Sequence, residues 1–121
     1  MIELTLTTEQ ARVVAQACEF FARIKMGQFD EIPHLLLANV TGDEFCRRRE
    51  AAEKLLLDAR KHIYPDLLGI GHSYGIGKFQ DADRAFDAYQ VIRYVLGDPR
   101  TPFSFSEPLP TCIIKEDEKK K

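Results

Sequence analysis

The sequence predicts a mainly α (α+β) fold: a compact bundle of three main helices plus a short kinked helix, with a small two-stranded sheet from the termini. Three observations predict it. Apolar residues recur at helical spacing over residues 8–25, 45–63 and 82–96. Capping sequences stand before the first two of these stretches, and a glycine follows the third. Both ends of the chain instead carry short alternating or β-branched runs, Ile2–Leu6 and Thr111–Lys115.

Ile2-Glu3-Leu4-Thr5-Leu6 alternates apolar and polar residues, as a half-buried strand does. Thr7 to Gln10 has the form of a capping box, so a helix should begin near Thr8 and run to Lys25. Its apolar residues, from Val13 and Val14 through Ala17, Cys18, Phe20 and Phe21 to Ile24, span an arc wider than one stripe. Such a helix should be covered on two sides, either in the domain centre or at a subunit contact.

Met26-Gly27-Gln28 breaks the pattern, and Pro33 restricts the next segment to a short or kinked helix through Pro33–Leu37. Thr41 to Glu44 is a second capping box, opening a helix that should run to about Tyr64 and stop before Pro65. Its apolar face is Phe45, Ala52, Leu55, Leu56, Ala59 and Ile63. At about 100° per residue, Arg47 points away from that face while Arg48 and Arg49 lie close to its centre. They either snorkel past the core edge or line a cavity that holds an anion.

The third main helix should run from Gln80 or Asp81 to Leu96, with Gly97 as its stop. Arg93 again sits beside the apolar side. Asp81, Asp83 and Asp87 are read as solvated acids favourable to the helix start. Beyond it, Gly97–Pro102 is turn-rich, and Pro108 and Pro110 keep the next residues extended or irregular. The chain thus divides into a single domain over residues 1–115 and a charged flexible tail over 116–121.

Between the last two helices lies Gly69-Ile70-Gly71-His72-Ser73-Tyr74-Gly75-Ile76-Gly77-Lys78, which holds four of the seven glycines. Successive amides of such a loop can form a nest for an anion, and a helix N-terminus comes next. Gly71, Gly75 and Gly77 would supply the backbone, His72 and Ser73 donors, Lys78 a mobile charge, and Tyr74 or Phe79 a stacking surface. The alternative is a compact loop whose glycines allow helices to approach. It is neither a P-loop nor a dinucleotide fingerprint: Phe79 stands where a metal-binding hydroxyl belongs, and Tyr74 replaces a glycine. With Arg48, Arg49 and Arg93, these loop residues make the candidate ligand site.

Composition narrows the classes. The net charge is −2 with acids and bases balanced within residues 41–100, so no basic face for duplex DNA is expected. Cys18, Cys46 and Cys112 are widely spaced and form no zinc pattern, which suits thiols in a reducing compartment. No apolar run approaches the roughly 20 residues of a membrane span, and a cytoplasmic location is the default. No catalytic constellation, metal or cofactor is expected.

Met26–Ile32, His72–Gly77 and Ala88–Arg93 resemble small proteins encoded by bacteriophages and prophages. That resemblance implies host cytoplasm and an accessory role. By analogy it implies an anti-defence sponge, a non-catalytic homo-oligomer that sequesters a cyclic nucleotide or cyclic ADP-ribose signal. The competing expectations are a protein-interaction module docking on a host protein, through the outer first helix, Met26–Leu37 and Phe103–Phe105, and a small phosphodiester hydrolase using His72.

Overall fold

In the computed structural model, which describes residues 1–69, 71–105 and 108–113, the chain forms four helices in the order α1 (Thr8–Lys25), α2 (Glu31–Leu36), α3 (Gly42–Ile63) and α4 (Gln80–Val95). The start of α1 is the capping box expected from its residues. The Gln10 amide donates to Thr7 Oγ1 at 3.1 Å while the Thr7 amide donates to Gln10 Oε1 at 3.0 Å. Its end is a Schellman turn on Gly27, at φ 93°, with the Gln28 amide on the Arg23 carbonyl and the Gly27 amide on the Ile24 carbonyl, both at 2.9 Å. Gly97 closes α4 in the same way at φ 115°. Pro33 falls in the first turn of α2, where its missing amide has no helical acceptor to lose, so the helix begins two residues before it.

The principal packing is between α1 and α4. Ala15 and Ala22 on α1 and Ala82 and Val91 on α4 are buried along it, and small side chains let the two backbones approach. Met26 and Leu67 extend the core past the end of α1. Among the described residues none of the phenylalanines is buried, and Leu67 is the only buried leucine.

Three expectations are corrected. No strand forms among the described residues: Ile2–Leu6 has no regular secondary structure, with Ile2 and Leu4 exposed. Residues 111–113 are irregular, and the rest of that predicted strand, like the tail over 116–121, lies outside the described residues. Alternation specifies a strand only when a second strand supplies the ladder. The three main helices also do not make one bundle: α2 packs on both α1 and α3, but no Cα of α3 comes within 8 Å of one in α1 or α4. Finally, Thr41 makes no side-chain cap, because Gly42 enters α3 at φ 67° and the box geometry is not reached. No helix among the described residues is long and apolar enough to cross a membrane.

Candidate functional site

The loop after α3 is organised by a residue that no motif singled out. Arg60, in the last turn of α3, is 3% exposed. Its Nη1 donates to the Gly27 carbonyl at 3.1 Å and the His72 carbonyl at 2.8 Å, and its Nη2 donates to the Gly69 carbonyl. Its Nε is buried and unpaired. A buried guanidinium thereby ties the end of α1 to both sides of the glycine loop. A helical wheel carries only a weak signal, since at about 100° per residue Arg60 stands at the edge of the apolar face, between Leu56 and Leu57.

Around this pin the loop is sewn to α1. The Tyr74 amide donates to the Met26 carbonyl at 2.8 Å, and the Tyr64 hydroxyl donates to the Lys25 carbonyl at 2.7 Å. Gly27 allows the approach, for a Cβ there would sit 2.5 Å from Leu67 Cδ1. Tyr64, Tyr74 and Phe79 pack edge-on or tilted at centroid distances of 5.1 to 6.1 Å, with Phe29 6.2 Å from Tyr64. Lys25 lies 5.4 Å over the Phe79 ring and Lys78 5.1 Å over the Tyr74 ring. The Tyr74 hydroxyl donates to Asp66, which pushes the Tyr74 pKa up to about 12 and lowers that of Asp66.

The described loop amides that have partners are engaged within the protein. His72 and Lys78 donate to the Gly69 and Gly75 carbonyls, at 3.1 and 3.3 Å, and Gly77 donates to both carboxylate oxygens of buried Asp83 at 3.1 Å. Gly71 and Gly75 have ordinary negative-φ or extended backbone and open space where a Cβ would stand. His72 and Ser73 are exposed at the loop surface.

Of the predicted ligand residues, the structure brings together Tyr74, Lys78 and Phe79. The arginines lie elsewhere. Arg48 is 3.8 Å from Glu44, and Arg49 is 2.8 Å from Glu53 and 5.8 Å over the Phe45 ring. Arg93 sits 4.9 Å over the Tyr89 ring and donates to its hydroxyl at 3.3 Å. Helix rise places Arg48 about 18 Å along α3 from Arg60, and Arg93 about 20 Å along α4 from Gln80, the helix's first residue, two after Lys78. No Cα of α3 lies within 8 Å of one in α4, and each arginine is engaged by a residue of its own helix. Two clefts occur away from the loop. One of about 170 Å³ lies between α1 and α2, lined by Phe20, Arg23 and His34, and one of about 220 Å³ lies between α2 and α3, where Arg48 borders Pro33, Leu36 and Leu56.

A second group that the sequence patterns did not mark is the polar side of α4. Asp83, Asp87 and Gln90 are all buried, spaced one turn apart, and each holds backbone of another segment. Asp87 accepts the Phe105 amide at 2.9 Å, while Gln90 donates to the Phe103 carbonyl at 3.1 Å and accepts its amide at 3.4 Å. The reading of Asp83 and Asp87 as solvated acids is therefore corrected: their carboxylates satisfy amides that no strand partner reaches. The three cysteines are free, and among the described residues no group of three or more His, Cys, Asp or Glu could hold a metal.

Fold and site together define a small protein whose regular structure, among the described residues, is helical, with a pinned loop and a polar-faced helix. No family model matches the chain, and no curated protein or solved structure matches it either.

Proposed function

We propose that this protein is a non-catalytic protein-interaction module that works as a homo-oligomer. The observation that carries this reading is the outer side of α1. Val13, Ala17 and Phe21, spaced one turn apart, are exposed, the first and last at 65% and 46%, on the side of the helix opposite the Ala15–Ala22 seam. α4 covers one side of the arc and α2 touches it near Phe20, while the Val13–Ala17–Phe21 side is left exposed. A second copy fits that side. Its rim is uncharged Gln10 and Gln16 and a Glu9–Arg12 pair at 3.7 Å, so the face meets its own copy without a like-charge cost. The shortage of large buried side chains in the monomer supports the same reading.

Light scattering and native mass spectrometry test it. The unaltered chain should run as a dimer or higher oligomer, and Phe21→Glu should run as a folded monomer. A monomeric unaltered chain at micromolar concentration would sink the reading. A nucleotide-like anion trap receives no comparable support, since Arg48 and Arg49 pair with acids on α3 while Arg93 lies over Tyr89 on α4.

A further inference from the structure

We propose that the polar side of α4 is a receptor for an extended peptide with an aromatic-x-aromatic pattern, occupied in this structure by the chain's own Phe103-Ser104-Phe105. The inference deepens the interaction-module reading, naming the chemistry of what a second site on the module binds. Asp87 and Gln90, both 1% exposed, hold main-chain atoms of Phe105 and Phe103. Gln90 supplies one donor and one acceptor to the same residue, as a neighbouring β-strand would. These two Gln90 bonds do not read the side chain of residue 103. Selectivity comes from rings: Phe105 lies 5.6 Å from Phe86 and 4.9 Å from Phe103, and Phe86 lies 5.4 Å from Tyr89.

Burying Phe103 does not account for holding its backbone so firmly, because its ring is left 61% exposed. Nor does a helix or sheet hold the segment in place. It reaches α4 through Gly97-Asp98-Pro99-Arg100-Thr101-Pro102, a turn-rich connection. Whatever offers the same backbone and rings in trans can replace it. The tether gives the internal segment an effective concentration on the order of millimolar, so an outside peptide competes poorly until the internal one is weakened.

The test is complementation in the full-length chain. A labelled, end-blocked peptide with the sequence of residues 101–105 is titrated against the unaltered protein and the double variant Phe103→Gly, Phe105→Gly, with helix content followed by circular dichroism. The peptide should bind the folded variant at least tenfold more tightly than the unaltered chain. Adding Gln90→Ala, or N-methylating the peptide at the Phe105 position, should weaken binding at least tenfold although both rings remain. No binding to a folded variant, or binding indifferent to Gln90 and to N-methylation, overturns the proposal. If the variant does not fold, hydrogen exchange on the unaltered chain decides. The 103 and 105 amides should exchange at least tenfold faster than those of 87–91, and equal protection overturns it. A dimer that survives Gln90→Ala keeps the α1 reading separate from this outcome.

Discussion

Arg60 and Gly27 show at single positions why the glycine loop is shaped as it is. Replacing Arg60 by methionine keeps the apolar stem but removes the guanidinium from the carbonyls of Gly27 and His72, and leaves that of Gly69 with the His72 amide alone. It should lower stability by roughly 3 kcal/mol, read as a lower urea midpoint at unchanged slope. Gly27→Ala meets Leu67 and a φ of 93°, and should cost about 1–3 kcal/mol. Gly71→Ala and Gly75→Ala meet neither obstacle and should be neutral or stabilise by a few tenths of a kcal/mol. A large loss at Gly71 or Gly75 would restore the view that these glycines serve a ligand. Tyr74 gives the loop a pH signature. Folded Tyr74 keeps its proton longer than an unfolded tyrosine, so its bond to Asp66 contributes fully below about pH 10 and is lost as pH rises through about 12. Asp66 acts in the opposite sense: its share is present above about pH 4 and is lost as acid protonates it below that. In a phenolate absorbance titration one of the four tyrosines should ionise near pH 12, and Asp66→Asn should return it toward 10.

Elements were legible where the signal was local. The Thr7–Gln10 box and Gly97 are hydrogen-bonding devices that a few neighbouring residues complete, and both form. The Thr41–Glu44 box has the same letters and does not form, because Gly42 has a freedom that pattern matching ignores. Thr7→Ala should therefore cost about 1 kcal/mol in thermal unfolding, while Thr41→Ala should change little. The strand at Ile2–Leu6 fails for another reason: its partner lies at the far end of the chain, and no local pattern reports whether the two meet. Asp83, Asp87 and Gln90 were illegible in the same way. Their acceptors and donors face Gly77, Phe103 and Phe105, and polar letters on a helix read as solvated until those segments are placed.

For the whole molecule, the candidate site asked whether Arg48, Arg49, Lys78 and Arg93 converge, a question of tertiary distance that wheels cannot answer. Only the Tyr74, Lys78 and Phe79 part was close enough in sequence to be drawn together correctly. A panel of cyclic dinucleotides, cyclic trinucleotides and cyclic ADP-ribose isomers should give no thermal shift, and Arg48→Ala or Lys78→Ala should leave oligomerisation unchanged. A shift abolished by Lys78→Ala would reopen the trap. The separation of α3 from α1 and α4 has a mechanical consequence. Anchored near one end by Arg60 and Tyr64 and braced by the six-residue α2 toward the other, α3 is a lever whose fulcrum lies at its C-terminal end. At 1.5 Å per residue, a tilt of roughly 10° about that fulcrum carries Phe45 through about 4 Å, enough to open or shut the cleft beside Pro33.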